Sequence, residues 1–329
     1  MTAAGDSGQA QREASGVSRL IWISTAGVCL ASLAGAWGAG LHFAHAAEFL
    51  RLFALSLGPI FALRFYARWR GLGGDRLPVF LDIVPGFMIV AFALLIAQYA
   101  AATRPIVDLT EPAHRLDAAL GFHWFDYVRT VSAIPGLDGL LSVCYRNWLG
   151  EFAVAMAILA FLRRYRAIGE FTVAYLLTAA ATILCFAFVD VFSINSAAAF
   201  DMPGLHHPSA SGPHYLSTLR ALRSGAVRTL DFDHLQALVS FPSLHGASAL
   251  LLAAATRELR GWRYPFLAFN VLVVVATLSE GGHGLTDVLG GVAVACGSLA
   301  AAGPLYGLWA RGALSERLAP AAAAGAAAS

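Results

Sequence analysis

From residue 20 to residue 310 this chain is a succession of apolar runs, and any fold it adopts must be built around them. Eight runs stand out, at 20–41, 49–66, 78–100, 139–162, 171–193, 243–259, 264–281 and 284–310. Most approach the ~20 residues with which a helix crosses ~30 Å of hydrocarbon. Among the 329 residues only 13% are Asp, Glu, Lys or Arg, against 58% apolar. A water-soluble domain usually carries about 25% charged residues, and so sparse a set cannot solvate a globule of this size. An ordinary soluble enzyme, a disordered chain and a nucleic-acid binder are therefore disfavoured. In lipid every backbone polar group must be satisfied within the structure. The pattern predicts an all-α, polytopic integral membrane bundle of about eight transmembrane helices.

Residues 1–17 are small and polar and are expected to form a disordered cytoplasmic tail. Residues 18–170 would hold helices 1–4, residues 171–310 the chemistry, and residues 311–329 a low-complexity tail that frays past residue 318. The first run, followed by Ala44-His45-Ala46, has a rival reading as a signal peptide. It exceeds the 7–15 apolar residues of such a segment, which favours an uncleaved helix. The fourth run is the least regular, because Arg146, Asn147 and Glu151 interrupt it. An ionisable residue at membrane depth marks either function or a helix end at the interface.

All 22 cationic side chains are Arg, so any phosphate site here must use Arg. If the eight helices alternate, 14 of the arginines fall on one side, Arg12, Arg68 and Arg163 among them, and eight on the other. The positive-inside rule makes the richer side cytoplasmic. Both termini are then inside, as in a bacterial inner-membrane protein, and the connections 101–138 and 194–242 are outside. Within the first of these, Gly121 to Tyr127 is an aromatic stretch suited to anchoring at the interface. The four cysteines are scattered and have no metal-type spacing.

Two outer helix starts carry chemistry. In Glu280-Gly-Gly-His283-Gly-Leu-Thr-Asp287, His283 and Asp287 lie four residues apart, on one face of a helix. The carboxylate can accept the Nδ1–H and leave Nε2 as a nucleophile. Gly281, Gly282 and Gly284 clear the approach, so that backbone amides can meet an anion. The plainer reading is a polar pair closing a helix end. In Ser240-Phe-Pro242-Ser243-Leu-His245, Pro242 and Ser243 suit a first turn. The Ser243 hydroxyl and nearby amides can hold a phosphate oxygen, and His245 can protonate a leaving oxygen. Taken alone, His245 is more simply an interfacial histidine beside a cap. Together the two starts supply a nucleophile, its orienting carboxylate and a general acid, a set that fits phosphoryl transfer through phosphohistidine.

Pro242-Ser243-x-His245 followed by His283-x-x-x-Asp287 resembles the second and third motifs of the type 2 phosphatidic acid phosphatase superfamily. Phe-Pro-Ser-Leu-His, and the absence of an Arg six residues before His283, look more like its inositol phosphorylceramide synthase-like branch of inositolphosphotransferases. The resemblance implies a metal-independent phosphatase or phosphotransferase without a cofactor, acting on lipid phosphates or phospholipids. It implies His283 as nucleophile, Asp287 as its partner and His245 as acid and base. Hydrolysis would need only water, whereas transfer would need an alcohol acceptor.

The chain departs from that pattern in three places. Leu244 stands where the family usually has Gly, Thr277 where it often has Arg, and Ala97 where a Lys would precede Arg104-Pro105. Charge compensation for a phosphate is therefore expected from Arg220, Arg223 or Arg228 of the outer loop, with Arg223 the first choice and Arg146 in helix 4 the second. The plainer reading of each is a solvated surface charge. His206, His207 and His214 lack carboxylate spacing and make a weak metal site. A transporter or non-catalytic membrane protein is the rival class, but no internal repeat is visible and the polar signals gather at one face.

Overall fold

The computed structural model describes residues 2–192, 214–232 and 235–326. Among them are twelve helices: α1 (Thr2–Gly38), α2 (Ala46–Arg70), α3 (Arg76–Ala102), α4 (Thr110–Ala119), α5 (Trp124–Ala133), α6 (Leu137–Arg146), α7 (Trp148–Phe161), α8 (Tyr165–Phe188), α9 (Tyr215–Ser224), α10 (Leu244–Thr256), α11 (Arg263–Ser279) and α12 (Leu285–Ala326). Two short parallel ladders tie connections between helices together. They are β1 (His42–Ala44) with β4 (Thr229–Asp231), and β2 (Val107–Asp108) with β3 (Val189–Asp190).

The protein is an all-α polytopic membrane bundle. Five helices are long and apolar enough to cross a bilayer: Gly8–Gly38 of α1, Ala46–Arg70, Arg76–Ala102, Tyr165–Phe188 and Leu285–Gly312 of α12. Three shorter apolar helices, α7, α10 and α11, have 14, 13 and 17 residues. At 1.5 Å per residue they reach only ~20–25 Å. These eight correspond to the eight apolar runs.

The core forms where α1, α3, α7, α8, α10 and α12 meet, around Phe152, Tyr165, Ile168 and Leu251, all almost wholly buried. Close approaches depend on glycine. A Cβ on Gly86 of α3 would lie 2.6 Å from the Ile21 side chain, and one on Gly169 of α8 would collide with the Tyr306 ring. By contrast α2 buries only Leu57 and Ala67, while Leu50, Leu52, Leu55 and Phe65 lie open. In a bilayer that face contacts lipid, which is as apolar as the side chains themselves.

Several local expectations are corrected. The leader read as disordered is helical, and Ala14 and Val17 pack into the core. It contains no proline to stop propagation of the helix. The alanine-rich tail read as fraying is part of α12 as far as Ala326. The fourth run is broken at Asn147, whose side-chain amide donates to the Val143 carbonyl at 2.8 Å. Such local bonding competes with the helix ladder. Arg146 and Asn147 are therefore at an exposed break, with Glu151 one turn inside α7.

Two aromatic side chains of the stretch at 121–127 hold the helices together. Trp124 is buried and donates its indole N–H to the Leu278 carbonyl at 2.7 Å, and the Tyr127 hydroxyl donates to Val275 at 2.9 Å. Both clamp α5 onto the end of α11, where the Leu278 carbonyl lacks a helical partner.

Candidate active site

α10 begins with a local cap. Ser243 has extended backbone, and its Oγ accepts the Gly246 N–H at 3.3 Å. His245 follows in the first turn. Its ring stacks on Tyr145 at 4.3 Å between centroids, and Trp148 stands edge-on at 5.6 Å. The break between α6 and α7 delivers both aromatics to this point. The His245 Nε2 is buried and has no hydrogen-bond partner among the described residues.

His283 is set by the turn between α11 and α12. Gly282 takes a φ of +68°, which glycine tolerates without cost. The His283 N–H donates to the Thr277 carbonyl at 3.3 Å. A Cβ on Gly281 would sit 2.6 Å from both that carbonyl oxygen and the imidazole, so this turn closes only around a glycine. Thr277, at the position where the resembling motif often has Arg, is fully buried.

Asp287 joins the two motifs. Its Oδ2 lies 3.4 Å from His283 Nδ1 and accepts the Ser240 hydroxyl at 2.8 Å and the Gly284 N–H at 3.1 Å. Its backbone carbonyl accepts the Ser243 N–H at 3.0 Å. Gly290 and Gly291 of α12 let Phe241 and the Ser243 backbone lie directly on the helix; a Cβ on Gly291 would be 2.3 Å from the Ser243 oxygen. Asp287 is 2% exposed and His283 7%.

The two histidines line one cavity of about 340 Å³. Its other walls are mostly apolar: Phe87 and Leu94 of α3, Trp148 of α7, Tyr175 and Ile183 of α8, and Leu244. The polar end thus faces a chamber walled by membrane helices.

The phosphate-binding residues read from the sequence are placed less simply. The Ser243 hydroxyl is spent on its cap and the residue is fully buried. Two of the amides at the start of α12, where an anion was expected, are already taken. Gly284 N–H goes to Asp287, and Thr286 N–H goes to Asp117 Oδ1 at 2.7 Å. Asp117 also accepts the Thr286 hydroxyl. A helix start holds few free donors, and here two carboxylates occupy two of them.

Among the described residues no arginine lines the cavity. Arg223 of α9 donates to Asp190 Oδ2 at 2.6 Å and lies over the Phe192 ring at 4.8 Å. Burial pushes the Asp190 carboxyl up to about 6 against the pull of Arg223, and the charge of Asp287 adds to the rise. Arg220 is on the exposed face of α9. Arg146 is exposed at the end of α6, one residue past Tyr145, with its Nε 3.4 Å from the Ser142 carbonyl. Arg228 donates to the carbonyls of Leu222 and Val227. His214 is exposed at the start of α9, while His206 and His207 lie outside the described residues.

Sequence reasoning missed Asp117, Tyr145 and Trp148, and gave Ser240 no role. α4, which carries Asp117, is tied at its other end to β3, since Leu109 N–H donates to the Asp190 carbonyl and Phe192 N–H to the Thr110 hydroxyl. It forms a strut from the Arg223–Asp190 pair to the turn at His283. Only the mid-loop position of Asp117 was visible beforehand, and that has no signature.

A buried His-Asp pair and a second histidine are thus set on two helix starts around a mostly apolar chamber, an arrangement chemically able to support acid–base or nucleophilic catalysis. A family profile described as the PAP2 superfamily matches residues 112–301, more than half of the chain, and the chain belongs to that superfamily. The matched span runs from α4 to α12, so it starts well before residue 171 and takes in Asp117, Tyr145 and Trp148. No curated protein and no solved structure gives a significant match.

Proposed function

We propose that this chain is a membrane-embedded enzyme that cleaves lipid-linked phosphates through a phosphohistidine on His283. Superfamily membership supports phosphatase or phosphotransferase activity in general. The observation that carries the lipid reading is the cavity itself, with His245 and His283 at one end and walls from α3 and α8. A phosphate group fits the polar end while its hydrocarbon lies among apolar side chains.

The course has two steps. His283 Nε2 attacks phosphorus as the ester P–O bond breaks, and the departing alcohol takes a proton from His245. His245 then removes a proton from water, whose oxygen attacks phosphorus; the P–N bond breaks, and phosphate and free His283 result. Asp287 holds the Nδ1 proton and stabilises the charged ring. Arg223 leaves Asp190 to meet the phosphate charge. With an alcohol in place of water the same steps transfer the phosphoryl group. Leu244 and Thr277, which depart from the commoner phosphatase motifs, favour this second reading and the inositolphosphotransferase-like branch.

The arginine distribution supports a site facing the periplasm or cell exterior, with both termini cytoplasmic, as in a bacterial inner membrane. Single cysteines in a background lacking the four native ones test this. Gly71→Cys should react with an impermeant maleimide only after permeabilisation.

The deciding assay is phosphate release from phosphatidic acid by the purified protein, with EDTA present and with alcohol acceptors added in parallel. Wild type should turn over, His283→Ala should be inactive yet folded, and acid-labile phosphate should be trapped on wild type alone. His245→Ala should lose far more activity on a lipid phosphate than on an activated aryl phosphate, because a good leaving group needs no general acid. Equal activity of wild type and His283→Ala would sink the mechanism.

A further inference from the structure

We propose a second phosphate-binding site, at the end of the bundle opposite the histidines. A cavity of about 750 Å³ there is larger than the one holding the histidines. Along α3 it is marked by Pro78 and Val79, whereas the histidine cavity runs from Phe87 to Gln98. Eight residues of helix, roughly 12 Å, separate the nearest of these positions, and no residue lines both cavities.

Three guanidinium groups from distant parts of the chain line this cavity: Arg12 of α1, Arg68 at the end of α2, and Arg163 just after α7. Only one carboxylate in the wall, Asp75, faces them. Arg163 grips Asp75 Oδ1 through Nη2 at 2.9 Å and Nε at 3.2 Å. Burial alone would raise the Asp75 carboxyl, but hydrogen bonding led by Arg163 outweighs it and holds the group below its usual range. Arg68 stands 3.9 Å from Asp82, a buried carboxylate whose nearer cation is Arg64. Arg12 makes no ion pair among the described residues. The wall is therefore an excess of cations held by fixed backbone.

Two further observations point to an occupant. Ser18 is 5% exposed and lines the same cavity, and its hydroxyl has no hydrogen-bond partner among the described residues. A buried hydroxyl left unpaired is costly and is usually satisfied by something. Arg163 sits at a φ of +56°, whereas the left-handed positions that close α2 and α9 are Gly71 and Gly225. A left-handed helix end normally takes glycine, so the guanidinium is placed there against backbone preference. Several guanidiniums and a hydroxyl around one space suit a doubly charged phosphate monoester. Such a group comes either from free phosphate or from a phosphatidic acid headgroup, which can approach along the lipid-facing side of α2.

The test is thermal unfolding of the full-length purified chain with two probes: inorganic phosphate in detergent, and phosphatidylcholine nanodiscs with or without phosphatidic acid. His283→Ala and its parent are compared with Arg12→Gln and Ser18→Ala. Arg12→Gln breaks no ion pair among the described residues, so its fold is not at stake. A ligand that binds only the folded state raises Tm. At least one probe should raise Tm by several degrees in both wild type and His283→Ala, and the shift should be clearly smaller in Arg12→Gln and in Ser18→Ala, the remainder being binding in the histidine cavity. A response to inorganic phosphate names the free anion as sufficient, and a response confined to phosphatidic acid names the lipid. No shift with either probe would overturn the proposal. So would a shift undiminished in Arg12→Gln, or one that disappears in His283→Ala, because binding would then belong to the histidine cavity. Failure of the catalytic reading leaves this result untouched, since the readout is binding.

Discussion

The helix that carries His245 and the helix that follows His283 begin in different ways. α10 is capped from within, since Ser243 accepts the Gly246 amide three residues on. α12 is closed from a distance, by Asp117, which lies 169 residues earlier in the chain and accepts both the amide and the hydroxyl of Thr286. The local cap shapes one turn. The distant cap binds the start of α12 to α4, and through α4 to the Asp190 strand. The His283 turn thereby inherits the rigidity of the outer segment, whereas His245 relies on the aromatic wall of Tyr145 and Trp148.

Asp287 belongs to both helix starts, so its loss should be the most damaging. Asp287→Asn keeps the shape but cannot stabilise an imidazolium, and kcat should fall by roughly 10²- to 10⁴-fold with KM little changed. A large KM effect at normal kcat would recast Asp287 as a substrate ligand. Asp117→Ala comes next. Loss of a buried charged acceptor should cost roughly 1.5–3 kcal/mol of stability. By loosening His283 it should also lower kcat about 10-fold or more at unchanged KM. Asp117→Asn retains an acceptor oxygen and should recover much of the rate. Wild-type kcat in Asp117→Ala would break the contrast between the two helix starts, leaving only a structural tie.

A smaller effect should appear with pH. Folding raises the Asp190 carboxyl to about 6, so its contribution to stability is full below its unfolded value near 4 and fades as pH rises through about 6. Below about 6 the neutral acid releases Arg223; above it the carboxylate holds the guanidinium. KM should therefore be a few-fold lower below that point, beyond the titration of the phosphate itself. Asp190→Asn should lose this inflection and keep a low KM throughout. An identical pH profile in both proteins would remove Arg223 from the site. The smallest effect is expected for Ser243→Ala. Loss of an N-cap costs about 1 kcal/mol, measurable by denaturation, while kcat should stay within a few-fold because the Ser243 N–H to Asp287 bond is a backbone bond. A marked rise in KM would show instead that the hydroxyl holds phosphate.

The sequence by itself determined the solvent and the local chemistry. Scarce charge and eight apolar runs require a membrane bundle, and each run has its helix. His283 and Asp287 four residues apart, and Ser243 before His245, were legible because their interactions act within one helical turn, where backbone geometry alone fixes the distances. The tertiary structure decided the rest. The pairing of Arg223 with Asp190, the burial of Trp124 against the carbonyls of α11, the closure of α12 by Asp117 and the stacking of Tyr145 on His245 all join segments whose separation along the chain carries no periodic signal. They depend on which helices lie side by side. That is set by close approaches such as Gly86 to Ile21 and Gly291 to Ser243, contacts that exist only after the bundle has packed.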